Sequence, residues 1–98
     1  MNIMESASVA RLLKVIGKLE TEEEICLFFE DICTIRELQD MARRLEVAHL
    51  LREGKNYQEI SARTAVSSAT ISRVNRCLLY GKGGYRLALD KCEAEEKE

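Results

Sequence analysis

The sequence predicts an all-α fold. Its 98 residues contain no proline and only 5% aromatic side chains, a composition that suits helices joined by short turns better than a β-sandwich. Apolar residues recur at helical spacing, and hydroxyl or amide side chains stand three residues before a glutamate at several points where a helix can begin. The length fits one small domain and excludes a large multidomain enzyme.

Three amphipathic helices are predicted in residues 1–54. The first spans about Ser6 to Glu20. Capping boxes, in which a threonine precedes a glutamate by three residues, begin the other two: Thr21 with Glu24, and Thr34 with Glu37. The predicted buried face of the second helix is Ile25, Phe28, Phe29 and Ile32. The third helix runs to about Glu53, and Gly54 closes it.

The third helix is apolar on nearly all sides, so we expect other helices to surround it. Its main apolar face consists of Leu38, Met41, Ala42, Leu45 and Ala48. His49 lies on this face, and we interpret it as a packed core residue rather than a ligand. Three such helices in a short chain indicate that part of their surface is buried in another copy, which predicts a homodimer.

Residues 55–80 have the spacing of a helix-turn-helix. Asn56 can cap a short first helix through Glu59, a break is predicted near Ala65, and a second helix is predicted over residues 68–79. The predicted core between the two helices is Ile60, Val66, Ile71 and Val74. A left-handed backbone at Ala65, where such turns commonly have glycine, would cost roughly 1 kcal/mol. An ordinary αα-hairpin would show the same spacing, but the polar outward face of the second helix favours a DNA reader.

That outward face provides the predicted DNA contacts. Serine hydroxyls and free amides at the start of the second helix suit a phosphate. Small side chains in its first turn let it enter the major groove, and two arginines one turn later can reach guanine edges or phosphates. We predict that DNA is contacted by Ser67, Ser68, Ala69, Ser72, Arg73 and Arg76, together with Lys55 and Gln58.

The charge of the chain is unevenly distributed. The formal net charge is −2, yet residues 55–86 hold six basic and one acidic side chain, whereas residues 1–54 hold seven basic and eleven acidic ones. A basic stretch inside an acidic protein is typical of a local nucleic-acid interface, although a solvated helix face gives the same count.

No pattern indicates an enzyme or a cofactor. The cysteines are Cys26, Cys33, Cys77 and Cys92. They form no C-x-x-C pair and have only one histidine to join them, so we predict buried free thiols and no metal site. The carboxylates lie mostly at helix starts, where capping explains them, and no nucleophile stands near a base.

Residues 81–98 are predicted to form a hinge, a short last helix and an acidic tail. The glycines between Gly81 and Gly84 lack the spacing of a phosphate loop, and Lys82 between them could add a phosphate contact. A short helix is expected around Tyr85 to Leu89, and the acidic residues after Cys92 are expected to fray.

No segment suggests a membrane or a secretory signal. The longest apolar runs are about three residues, far short of the roughly 20 that cross a bilayer. Residues 1–20 lack the unbroken apolar core of a signal peptide. We therefore expect a cytoplasmic protein with no membrane contact.

Several short stretches together resemble the Trp repressor family. They are Thr-Ile-Arg-Glu-Leu at 34–38, Leu-Arg-Glu-Gly at 51–54, Gln-Glu-Ile-Ser at 58–61 and Ala-Thr-Ile-Ser-Arg at 69–73. The resemblance covers about residues 8–92 and is nearest to a small branch whose ligand and regulated genes are undefined. It implies that residues 1–98 form a single Trp-repressor-like domain: a helical bundle with a helix-turn-helix, in an intertwined homodimer. The dimerisation helices would then lie in residues 1–54. The helix-turn-helix units of the two protomers would contact successive major grooves about 34 Å apart.

The resemblance also implies a ligand site. In this family two arginines that match Arg43 and Arg73 hold the corepressor, and a carboxylate between two guanidinium groups is a sound anion site. Where the family has a glycine and a serine, this chain has Val74 and Cys77, whose bulk could close the indole slot. We therefore expect a small ligand other than tryptophan, or none. Arg73 has two open roles, in ligand binding and in direct DNA contact.

The sequence thus predicts a dimeric regulator that binds a specific double-stranded DNA sequence and represses transcription. The alternative is a helical protein-interaction adaptor that presents its acidic N-terminal surface to a larger partner and contacts DNA only incidentally.

Overall fold

The computed structural model describes residues 6–96, which form six helices and no strand. The helices are α1 (Ala7–Lys18), α2 (Glu22–Ile32), α3 (Ile35–Arg52), α4 (Tyr57–Thr64), α5 (Ser68–Tyr80) and α6 (Gly84–Glu96). The prediction of an all-α fold is confirmed. The chain divides into two compact units, one up to Leu38 and one from Gln39 onward.

Side-chain caps at the predicted residues begin α2, α3, α4 and α5. Thr21, Thr34, Asn56 and Ser67 each accept a hydrogen bond from the backbone N–H three residues later. At α3 the capping box is complete, because the Thr34 N–H also donates to the Glu37 carboxylate at 2.8 Å. That bond stabilises the ionised carboxylate and lowers the pKa of Glu37. Gly54, with φ +85°, closes α3 as predicted.

The second unit contains the hydrophobic core. Each of its helices contributes to a buried cluster of Val47, Ala48, Leu50, Ile60, Val66, Ile71, Val74 and Leu89. The four residues predicted to form the helix-turn-helix core are all in this cluster, so that prediction is confirmed. The core therefore fixes α4 and α5 against the C-terminal half of α3.

The first unit has helices with unburied apolar faces. Neither α1 nor α2 contains a buried residue. The large exposed apolar side chains of this unit are Leu13, Val15, Ile25, Leu27, Ile32, Ile35 and Leu38. The predicted burial of Ile25 and Ile32 is therefore wrong for a single chain, because the pattern identifies the face that is apolar and not what covers it.

Burial also corrects the expectations for His49 and the cysteines. The His49 side chain is 39% exposed, and its Nε2 lies 3.6 Å from a Glu53 carboxylate oxygen, so it is not a packed core residue. The cysteines are free as predicted, but Cys26, Cys77 and Cys92 are exposed and Cys33 is half-buried. The thiols of Cys26 and Cys92 donate to glutamate carboxylates one turn later, at 3.5 and 3.7 Å. The adjacent carboxylates raise the pKa of both thiols.

The last helix is longer than predicted. Residues 93–96, expected to fray, continue α6 to Glu96. A long-range ion pair joins this helix to α3, since Arg52 lies 2.7 Å from Asp90 and 3.3 Å from Glu93. Within the described range of 6–96, no helix combines the length and the apolar character that a bilayer crossing requires.

Candidate nucleic-acid interface

The two helices α4 and α5 are joined by a turn at Ala65 to Ser67. One face of α5 is buried through Ile71, Val74 and Leu78, and α4 packs on it through the fully buried Ile60. Because the three buried residues of α5 are spaced at three and four positions, the opposite side of that helix lies in solvent.

The turn is fixed by hydrogen bonds from two hydroxyls. The Ser61 hydroxyl donates to the Val66 carbonyl at 2.9 Å, and the Thr64 hydroxyl donates to the Ile60 carbonyl at 2.7 Å. Between them Ala65 adopts the left-handed conformation, with φ 59° and ψ 25°, as the sequence predicted. It is the non-glycine residue with positive φ in the described chain. A small residue at Ser61 therefore both permits the close approach of the helices and ties the turn to α4.

The start of α5 is capped and carries no negative charge. The Ser67 hydroxyl accepts from the Thr70 N–H at 3.3 Å, so Ser67, of the two serines proposed, is the cap. No acidic residue lies in the first turn, which leaves the positive end of the helix dipole uncompensated. Ser68 and Ala69 are exposed beside it. This end of α5 is suited to an anion.

The structure brings most of the predicted DNA-contact residues to the exposed side of α5. Ser72, Arg73 and Arg76 are all exposed. The other two predicted residues lie before and on α4. Gln58 is exposed in its first turn, and Lys55 is half-buried in the loop that precedes it.

The two arginines predicted to hold a ligand line one cleft. Arg43 of α3 and Arg73 of α5 border a space of about 430 Å³. Val74 is also in its wall, whereas Cys77 lines a separate apolar cleft with Leu45 and Tyr85. Of the two substitutions expected to narrow the site, only Val74 is therefore placed where it can do so.

Sequence reasoning missed three residues of this cleft: Asp40, Arg44 and Thr70. Asp40 matters most, because its carboxylate lies 3.4 Å from the Arg43 guanidinium, on the same face of α3. The spacing of three residues between an acid and a base on a predicted helix could have identified this pair. The cleft thus contains three cations and one built-in anion.

No group of three or more metal-binding side chains occurs among residues 6–96.

Comparisons with a family model, a curated relative and solved structures all match most of the chain. The family described as Trp repressor protein matches residues 7–93. The protein YerC of Bacillus subtilis (strain 168) is 50% identical over 88 residues, which are 90% of this chain and 85% of YerC. The crystal structure of a TrpR like protein from Eubacterium eligens ATCC 27750 superposes with a TM-score of 0.89 at 41% identity, covering 95% of this chain and 96% of the other. A crystal structure from Staphylococcus aureus gives 0.87 at 38% identity, covering 95% of both chains.

Proposed function

Because the chain belongs to the Trp repressor family, a family of DNA-binding regulators and not of enzymes, we propose that it recognises one double-stranded DNA sequence through α4 and α5 and represses transcription. A regulator of this kind acts in the cytoplasm, on chromosomal DNA. The observation that carries the proposal is the division of α5 into a buried apolar face and an exposed face of small and basic side chains.

The residues of α5 have distinct proposed roles. Ser68 and Ala69 are small enough for the first turn to approach base edges in the major groove, while the Ser67 cap leaves neighbouring backbone N–H groups for a phosphate. Arg73 and Arg76, one and two turns further along, reach guanine edges or phosphates. Lys55 and Gln58, near the start of α4, contact the DNA backbone.

We propose a homodimer, intertwined through the first unit. The support is the exposure of that unit's apolar residues, among them Ile35 at 77% and Leu27 at 60%. Large apolar side chains exposed in this number on consecutive helices are typical of an interaction surface. A two-fold dimer presents two copies of α5 about one helical turn of DNA apart, which selects sites with two-fold symmetry. Sedimentation of the purified chain tests this: a monomer at micromolar concentration would refute it.

We also propose that the cleft between Arg43 and Arg73 accepts an anionic small molecule other than tryptophan. The support is that three arginines line one cleft, which favours a carboxylate or phosphate. Asp40 competes for Arg43, so Asp40→Asn should increase any metabolite effect on DNA binding, and Arg43→Gln should abolish it. Equal responses of the two variants would refute this site.

The first experiment is selection of genomic fragments by the purified protein at near-physiological salt. It is repeated with tryptophan and with a small-metabolite extract. Enrichment of a symmetric sequence supports the regulator, and dependence on the extract supports an effector. A failure to enrich any sequence, with weak and nonspecific retention of DNA, would instead favour the protein-interaction adaptor.

Arg76→Ala then tests the interface on the selected site. Fluorescence anisotropy should show weaker binding and a shallower dependence on salt, because a cationic contact has been lost. Lys91→Ala is the control, since Lys91 is an exposed cation on α6 outside the helix-turn-helix. If Arg76→Ala binds as the control does, Arg76 is not in the interface.

A further inference from the structure

The end of α5 has backbone carbonyls that no donor of the helix satisfies. The last carbonyls of a helix lack partners within it. The Gly81 N–H satisfies one of them, the carbonyl of Cys77, at 2.9 Å. Gly81 has φ −80° and so does not form the left-handed cap that satisfies further carbonyls, and no basic residue lies in the last turn of α5. The carbonyls of Leu78 and Leu79 are left for another element.

Arg86 of α6 supplies that donor. Its Nε and one terminal nitrogen donate to the Leu78 carbonyl at 3.1 and 2.7 Å, and the same terminal nitrogen lies 3.2 Å from the Leu79 carbonyl. These bonds place a positive charge at the negative end of the α5 dipole. They span the glycine connection, in which Gly83 has φ +86° and allows the chain to reverse.

The helix that carries Arg86, α6, is itself anchored to the other helices of the second unit. Leu89 is buried in the hydrophobic cluster, and Arg52 of α3 pairs with Asp90 and Glu93. The Arg52 guanidinium also lies 3.5 Å from the carbonyl of Arg86. Since the Arg52 side chain is only 25% exposed, these contacts are shielded in part from solvent. Thus α6 connects the end of α3 to the end of α5.

We propose that Arg86 is a positioning residue that sets the direction of α5 and thereby the DNA specificity, without touching DNA. This inference rests on the proposed DNA-binding function. The apolar contacts of α5 hold it to the core but are non-directional, whereas the bonds from Arg86 fix one end of the helix.

The length of α5 makes its direction matter. Its 13 residues extend about 20 Å, so a tilt of about 5° at one end moves the other by about 2 Å. The close approach of Ser68 and Ala69 to base edges tolerates much less than that. Loss of the bonds from Arg86 to the Leu78 carbonyl would therefore displace Ser68 and Ala69, at the far end of α5.

Arg86→Gln tests this role on the symmetric site that fragment selection recovers. Affinity for that site should fall about tenfold, as for the loss of one good base contact. Affinity for an unrelated duplex of equal length should not change, and the salt slope should stay as in the unmodified protein. Arg86→Lys, which keeps the charge and can bond one carbonyl, should restore part of the loss. Lys91→Ala should bind both duplexes as the unmodified protein does.

Two results would overturn the proposal. Equal losses on both duplexes, with the salt slope reduced by about one, would make Arg86 a direct phosphate contact. Unchanged affinity for the selected site would remove any role in specificity.

Hydrogen exchange tests, without DNA, whether the bonds from Arg86 hold the end of α5. Arg86→Gln should speed exchange of the amides at the end of α5, around residues 79–81, and leave those of α4 unchanged. If exchange at that end is unchanged, Arg86 does not hold the helix. If no DNA is ever selected, the proposed function and the role of Arg86 in DNA specificity both fail. The exchange result still decides whether Arg86 holds the end of α5. Should Arg86→Gln fail to fold, Arg86→Lys serves both assays.

Discussion

Replacing Ala65 by glycine should stabilise the protein, because it removes a steric conflict from the turn between α4 and α5. Ala65 has φ 59° and ψ 25°, and its side chain is exposed, so truncation loses little packing. The left-handed conformation costs an L-residue roughly 1–2 kcal/mol. Glycine avoids this cost but adds about 0.4–1 kcal/mol of chain entropy to the unfolded state. The net expectation is a stabilisation of about 0.5–1 kcal/mol.

The assays are urea unfolding and thermal unfolding, both followed by circular dichroism at one fixed protein concentration, because association would contribute to the apparent stability. The thermal midpoint should rise by about 2–8 °C for a chain of this size. Ala62→Gly is the matched control, since Ala62 is exposed in the middle of α4 and the same change there should destabilise by about 0.5–1 kcal/mol. If Ala65→Gly and Ala62→Gly destabilise the protein by the same amount, the turn is not strained and the reasoning fails.

Three further predictions concern other local features. Gly81→Ala should destabilise by about 1–3 kcal/mol in thermal unfolding, because a Cβ there overlaps a backbone carbonyl one turn earlier, whereas Gly84→Ala, in open space, should not. Cys26 and Cys92 should react with iodoacetamide more slowly than free cysteine at pH 8, since a raised pKa leaves a smaller fraction of each thiol ionised; equal rates measured by mass spectrometry would contradict this. The lowered pKa of Glu37 contributes stability above its unfolded-state value that is lost as the pH falls through the folded-state value. The difference in unfolding midpoint between the unmodified protein and Glu37→Gln should therefore shrink from pH 7 to pH 3, and a constant difference would count against it.

Local signals in the sequence were sufficient for most of the fold. Capping residues act over three positions, so Thr34 and Asn56 mark helix starts that the structure reproduces. The core of the helix-turn-helix follows from helical spacing, and the left-handed backbone at Ala65 follows from its place in a turn where such motifs commonly have glycine.

Long-range contacts were beyond such reasoning. Arg52 of α3 contacts Asp90 and Glu93 of α6, about forty positions away, and no local pattern encodes that pairing. The same holds for Arg86, whose partners lie across the glycine connection. The apolar pattern around His49 predicted burial, but the side chain is 39% exposed beside Glu53, because the pattern does not say which neighbours pack on that face.

The candidate site was predictable in the same uneven way. The exposed face of α5 follows from the three buried positions of that helix, and the meeting of Arg43 with Arg73 came from the family resemblance alone. The pairing of Asp40 with Arg43 follows from their spacing of three residues on one helix, but the position of both in the cleft beside Arg73 required the structure.

Because α1 and α2 contain no buried residue, the amount of folded protein can depend on how much of the chain a cell makes. If the proposed dimer covers those helices, their folding is a second-order reaction, and the amount of complete regulator grows with the square of chain concentration at low expression. Chains made in small numbers would remain partly unfolded and open to proteolysis. The chain concentration would then have a threshold. Below it, low-level transcription of the gene yields little folded dimer, and above it the dimer accumulates.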